Sequence, residues 1–299
     1  ETGMDHGAIF VGTCLAAAVA CFFMGLFANW PVALAPGMGL NAYFTYIVVG
    51  EMGYSWQTAL AAVFIAGILF FIISVTPLRR WMLESIPGNL RIALGAGVGL
   101  FIGFIGLQAG GIVVSNPATY LSLGDMSDPE TFLSALGFVL ITVLSVKRVP
   151  GAIILGILGV TAIALILGLV EFSGFVSSPP SIAPVFFKLN FSDVLNLGST
   201  IVVLTFLFVN LFDTAGTLLA VATRAKLVGD DGQIQNLDRA LKADSSASVV
   251  GVFLGCAPVT SYVESSSGIA AGGRTGLTAV VVGLLFCGAI FFSPIAAIV

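Results

Sequence analysis

The sequence predicts an all-α protein that crosses a membrane many times, and three observations carry that prediction. Hydrophobic residues make up 58% of the 299 and charged residues only 9%, where a soluble domain carries about a quarter charged. The mean hydropathy is +1.09. Apolar runs of spanning length recur along the whole chain, with the few charges gathered in the loops between them. The net charge of −4 therefore says little about partners, and no basic cluster of the kind that binds nucleic acid is present.

Ten membrane segments can be read in order. They are Gly7–Phe27, Val32–Val49, Trp56–Val75, Ile92–Gly106, Thr131–Val146, Ala152–Val170, Leu197–Val221, Ala243–Gly255, Ala257–Gly273 and Leu277–Val299. If they alternate in direction, ten of the eleven Lys and Arg fall on one side and only Lys188 on the other. That side is the cytoplasmic one by the positive-inside rule. The loops 108–130 and 171–196 then face outward, and the first carries Asp125, Asp128 and Glu130 with no base. Pro77–Leu90 reads as an interfacial piece, with Trp81, Met82, Leu83 and Ile86 at headgroup level and Arg79 and Arg80 in water; a short loop helix fits it equally well.

The chain opens on ETGMDHG and stops inside an apolar run, so spans are expected beyond both ends. Cys14, Cys21, Cys256 and Cys287 lie in or beside spans without metal-site spacing, and the single His6 cannot hold a metal alone. The cysteines read as small buried side chains and His6 as a loop residue at the head of the first span. Nothing in the sequence calls for a cofactor. A membrane-embedded enzyme would need a nucleophile with its base or a metal cluster, and a channel would show a repeated pore motif; neither is present.

Two segments break the helical pattern. The second, NWPVALAPGMGLNAYFTYIVVG, crowds Pro31, Pro36, Gly37 and Gly39 into its first half. Proline removes a backbone donor and glycine weakens a helix. The expectation is an extended piece, Val32–Ala35, then a half-helix from about Gly37. The ninth, GCAPVTSYVESSSGIAAGG, repeats the grammar, with an extended VTSY and a half-helix from about Glu264. Asn41 follows Pro36 by five residues and Glu264 follows Pro258 by six, so each half-helix is expected to carry a polar side chain at its mouth. Extended backbone at membrane depth survives only where it lines a cavity or is buried in protein. Paired breaks in the two halves of a chain point to a transporter site near the midplane, between inverted repeats, where half-helix N-termini offer N–H groups.

Two carboxylates reinforce this. Asp213 lies in the apolar IVVLTFLFVNLFDTAGTLL and Glu264 in the second break; they are read as the only acids deep in spans, with Glu51, Glu84 and Glu171 solvated. A charge in hydrocarbon costs several kcal/mol unless it meets a cavity or a partner. Asp213 could instead serve to tie its helix to another, through Thr214 or Thr217.

The same residues resemble a family. ANWPVALAPGMGLNAYF (Ala28–Phe44), FVNLFDTAGTL (Phe208–Leu218) and PVTSYVESSSGIAAGGRTGLTAV (Pro258–Val280) are similar to the signatures of AzgA-like purine permeases, a branch of the nucleobase–cation symporter-2 (nucleobase–ascorbate transporter) family. The resemblance covers essentially the whole chain. It implies a fold of fourteen segments in two inverted repeats of seven, divided into a core and a gate domain, with this chain running from the second segment to the eleventh. Residues 1–170 would belong to the first repeat, 171–196 to an extracytoplasmic connection and 197–299 to the second repeat. The implied activity is proton-coupled uptake of adenine, guanine and hypoxanthine across the plasma membrane, by a homodimer. Cys256–Ala257 departs from the Thr-Ser of many relatives and could adjust the pocket.

On that template Asp213 and Glu264 hold the base and Asn41 is the polar position of the first break. The chemistry of the residues agrees. A carboxylate accepts two adjacent N–H groups of a purine edge, as it accepts an arginine fork. Glu264 suits that role, backbone groups of Val263 and Ser265 can read neighbouring atoms, and Asp213 could bind the other edge or carry the proton. Phe44, Tyr43, Phe212 or Tyr262 could give the ring a stacking face, with Phe44 favoured. Asp213 and Glu264 remain the two candidates for the coupled proton. Xanthine, urate, uracil or a small anion on the same scaffold is the alternative cargo; an anion would sooner meet a cation than Glu264.

Overall fold

A computed structural model describes residues 2–76, 88–149, 151–170, 174–192, 194, 196–229 and 234–298. The expected interfacial piece at Pro77–Leu90 lies almost wholly outside the described residues, as do Glu84 and Glu171. Among the described residues five helices are long and apolar enough to cross a membrane: His6–Ala28, Trp56–Val75, Pro129–Val146, Gly198–Ala225 and Gly276–Ile295.

The element order follows the sequence closely. Helix α1 (His6–Phe23) continues as a π-helical turn, Met24–Ala28. Strand β1 (Leu34–Pro36) and the short helix α2 (Met38–Ala42) follow, and α2 widens into a π-helical run, Tyr43–Glu51. Then come α3 (Trp56–Val75), α4 (Gly88–Ala109), a hairpin of β2 (Val113–Asn116) and β3 (Tyr120–Leu123), α5 (Pro129–Val146) and α6 (Ala152–Ile166). The last part holds α7 (Leu197–Ala225), α8 (Leu237–Phe253), β4 (Val259–Ser261), α9 (Ser265–Ala270), α10 (Gly276–Ala289) and α11 (Ser293–Ile298).

Local chemistry sets the boundaries. Asp5, Ser55, Asp128 and Asn196 each accept a backbone N–H from the first turn of the helix they precede, which satisfies a donor that the helix leaves free. Pro129 occupies the first turn of α5, where a missing N–H costs nothing. Two differences from the sequence reading concern length. Helix α8 starts at Leu237 rather than Ala243, because Ala240, Leu241, Ala243 and Asp244 already form a buried stripe at helical spacing. Helix α7 runs past Val221 to Ala225, until Lys226 turns left-handed at φ 59°. The 108–130 loop contains the β2–β3 hairpin, whose turn is held by Asn116 Oδ1 accepting from the N–H of Ala118 at 2.8 Å.

The chain divides into two compact units. One joins residues 1–98 to 179–290; the other joins 99–178 to 291–299. In the first, α1 packs on α10, and α3 on α7 and α8. The two larger of its apolar clusters gather around Leu40, Phe44, Leu60, Phe70 and Phe206, and around Met24, Trp30, Leu34, Leu218, Leu241 and Val259. The second cluster contains a residue of each strand of the β1–β4 pair, so both breaks are buried in protein, as hydrocarbon requires. Part of the 171–196 connection closes over the ends of α3 and α8: the N–H of Phe187 donates to Phe253 and that of Asn190 to Gln57. In the second unit α5 packs against α6.

Candidate functional site

The two broken segments meet. β1 and β4 pair antiparallel, with Leu34 opposite Ser261, Ala35 opposite Thr260 and Pro36 opposite Val259. A strand this short is marginal on its own, and the flanking bonds make up the deficit. The N–H of Gly37 donates to Pro258 at 3.0 Å and that of Tyr262 to Ala33 at 2.9 Å. The Tyr262 hydroxyl reaches across to the carbonyl of Pro36 at 2.6 Å, and Ser265 Oγ accepts the N–H of Ala33 at 3.0 Å. Gly37 permits the approach, because a Cβ there would lie 2.9 Å from the Thr260 methyl.

The outer edges of this ribbon are also satisfied, by different chemistries. On the β1 side Cys21 Sγ of α1 accepts the N–H of Leu34 at 3.3 Å. On the β4 side Asp244 Oδ2 of α8 accepts the N–H of Ser261 at 2.9 Å and its hydroxyl at 2.5 Å. The other oxygen of Asp244 accepts from Thr214 of α7 at 2.8 Å. The Thr260 hydroxyl lies 3.2 Å from that of Thr214 and 3.4 Å from Asp213 Oδ2, and its single proton serves one of these two acceptors. Two threonine hydroxyls thus lie between two carboxylates, one half-buried and one fully buried. Next to it, Asn210 donates to Ser248 at 3.0 Å and Ser248 to the Val259 carbonyl at 2.6 Å. Asn210 Oδ1 is the one buried side-chain polar atom among the described residues without a partner.

Asp244 corrects the sequence reading, in which Asp213 and Glu264 were the only acids deep in spans. It is 0% exposed. A segment that begins at Ala243 puts Asp244 at a span end. The buried stripe Ala240, Ala243, Asp244, Ala247, Ser248 and Gly251 was the signal that would have placed it inside.

The positions of the expected site residues are as follows. Glu264 is exposed and opens α9 with helical dihedrals (φ −59°, ψ −22°), and its side chain does not cap its own helix. With Tyr262, Ser265, Ala33, Ala35 and Thr278 it lines a cleft of about 300 Å³. Asp213 is half-buried on α7, the helix that packs against β4, α9 and α2, and it lies within electrostatic range of both Glu264 and Asp244. Asn41 is half-buried and sits one turn inside α2, its N–H bonded to Gly37, so it stands beyond the mouth where the spacing put it. Phe44 is 5% exposed and belongs to the apolar core, while Val263 is exposed. Asn41, Phe44, Asp213 and Val263 stand outside the cleft lining; Glu264 and Ser265 form part of it. Of the other aromatic candidates Tyr262 lines the cleft, Tyr43 packs edge-on against Phe206, and Phe212 stacks on Phe208.

Three comparisons place this chain among known proteins. A family model described as Permease family matches residues 3–299. A putative permease of Methanocaldococcus jannaschii is 48% identical over 98% of this chain and 67% of its own length. The adenine permease AdeP of Escherichia coli is 45% identical, with 99% of this chain and 67% of its own covered. The guanine/hypoxanthine permease PbuG of Bacillus subtilis is 46% identical, with 99% and 68% covered. Among solved structures, the transmembrane domain of a cyanobacterium bicarbonate transporter, BicA, superposes with a TM-score of 0.68 over 97% of this chain and 79% of that one, at 17% identity. That likeness shows the fold, a mostly helical transmembrane domain. With a family model matched along essentially its whole length, the chain belongs to the Permease family, a multi-pass membrane protein that transports rather than catalyses.

Proposed function

We propose that this chain forms the transport body of a purine nucleobase permease, which takes up adenine, guanine or hypoxanthine across the plasma membrane together with a proton. The observation that carries the reading is the cleft at the junction of the two broken segments, with Glu264 exposed at the mouth of a half-helix. The names of the adenine and guanine/hypoxanthine permeases above support the same cargo.

Glu264 accepts paired N–H groups of the purine, and the adjoining backbone of Val263 and Ser265 reads the neighbouring atoms. Asp213 on α7 and Glu264 beside it at the start of α9 are the two acids assigned to the coupled proton. Asn41 takes part from α2, which packs against the helix of Asp213. Tyr262, whose hydroxyl is fixed to Pro36, supports an aromatic wall better than Phe44, which the core holds. In the finer architecture, residues 1–170 and 197–299 supply parts of two inverted repeats of seven, the first compact unit is the core and the second belongs to the gate. The active protein is a homodimer.

The test is uptake of labelled hypoxanthine by the full-length gene in cells without their own base transporters. Uptake abolished by a protonophore and competed by adenine or guanine supports the reading. Competition by xanthine or uracil alone, or uptake indifferent to the protonophore, contradicts it.

A further inference from the structure

The basic end of the first unit carries more than topology. Arg239, in the first turn of α8, holds its guanidinium 5.9 Å from the ring centroid of Phe27, at the end of α1. A cation over an aromatic face is attracted by the ring and loses freedom there. Arg274, in the turn before α10, donates one N–H to the carbonyl of Arg224 at 3.1 Å. Both side chains lie on exposed residues. They flank the same turn, because Asn29, two residues after Phe27, accepts the N–H of Gly276, two residues after Arg274, at 2.9 Å.

Below this cationic end lies an apolar wall. Leu26 is 77% exposed and Leu277 68%, with Phe23 and Phe27 exposed beside the former and Val281 and Leu284 continuing the latter at helical spacing. The helices that bear them are packed on each other so tightly that a Cβ at Gly276 would fall on the Gly25 carbonyl. Apolar side chains crowned by two guanidiniums match the two ends of one molecule. Guanidinium binds phosphate through paired, charge-assisted hydrogen bonds. The wall suits acyl chain. The one acid in the first turn of α8, Asp238, sits where the helix N-terminus favours negative charge.

We propose that this surface binds an anionic phospholipid of the cytoplasmic leaflet, its headgroup between Arg239 and Arg274 and its chains along α1 and α10. The side follows from the distribution of Lys and Arg, and anionic lipid is concentrated in that leaflet. None of its residues is among those lining the purine cleft, and it stands whatever the cargo.

The experiment is native mass spectrometry of the purified full-length protein, titrated with phosphatidylglycerol and with phosphatidylcholine of the same chains. A basic residue at the surface is worth about a fivefold gain in affinity, so the two arginines give a preference of about thirtyfold for phosphatidylglycerol. Arg239→Gln with Arg274→Gln removes that preference, and Arg148→Gln, a base of the second unit, leaves it. Glycerol phosphate fails to displace the lipid. Equal retention of the two lipids, a preference that survives the double substitution, or displacement by glycerol phosphate overturns the proposal. Unfolding in phosphatidylcholine micelles checks the variants. If the double variant unfolds early, Arg239→Lys must keep the preference while Arg239→Gln alone lowers it about fivefold, and failure of that pair to differ overturns the proposal as well.

Discussion

Asp244 and Ser261 are joined along an edge of β4 that points away from β1, through the backbone N–H of Ser261 at 2.9 Å. Its counterpart on the opposite edge is the contact of Cys21 with Leu34. Leu34 and Ser261 face each other in the register, and each turns its N–H outward to a side chain on a different helix. A two-stranded ribbon inside a membrane leaves such groups exposed to hydrocarbon unless a neighbour satisfies them. One edge meets a thiol and the other a carboxylate.

The carboxylate edge should be the costlier to lose. Asp244→Ala leaves the N–H and hydroxyl of Ser261 and the hydroxyl of Thr214 without their acceptor, at about 1–3 kcal/mol for each buried group. The expected result is a protein at least about 3 kcal/mol less stable in detergent unfolding and without uptake. Asp244→Asn keeps an acceptor and should lose less stability. Equal stability of Asp244→Ala and the parent would contradict the role.

The thiol edge gives a milder outcome. Cys21→Ser retains a hydrogen-bonding atom and should unfold within about 0.5 kcal/mol of the parent, whereas Cys21→Ala should lose about 1 kcal/mol. The pair is compared by thermal unfolding under one set of conditions.

Close approach of α10 to the π-helical turn after α1 rests on Gly25 and Gly276. Gly276→Leu forces the helices apart at Gly25 and should destabilise by about 1–3 kcal/mol, with a fall in the amount of folded protein recovered from membranes. Gly97→Ala, at a position with nothing nearby, is the control and should change little.

The Tyr262 hydroxyl can be removed without touching the ring. Tyr262→Phe should cost about 1 kcal/mol of stability through the lost bond to Pro36 and should weaken purine affinity severalfold, as the ring gains freedom. Unchanged affinity would show that the fixed orientation of the ring does not matter.

Much of this was legible in the residues. Pro31, Pro36 and Pro258 announce the breaks, because proline has no donor to give a helix, and the strands formed within a residue or two of those positions. The register of the strands and the side chains that satisfy their outer edges were not legible, since both depend on which helices bring the breaks together. The spacing from Pro36 puts Asn41 at a mouth, but α2 begins at Met38 and leaves it a turn inside. Phe44 shows the limit of side-chain type as a guide: a ring near a break serves the core as readily as a ligand. Asp244 was hidden for a different reason. Hydropathy averages over a window, and the Ser-rich ADSSAS stretch reads as a loop although one of its faces is fully buried.

The central claim is that Glu264, at the junction of the two broken segments, binds the base. The most direct measurement is equilibrium binding of labelled hypoxanthine to the purified full-length protein and to its Glu264→Gln variant, with unfolding temperatures compared to show that both are folded. Gln still accepts one hydrogen bond but sets an N–H against an N–H, and a site built for polar recognition discriminates strongly against such a mismatch. The expected result is binding at least about a hundredfold weaker with the unfolding temperature unchanged. Affinity within about twofold of the parent would contradict the assignment and move the base away from this cleft.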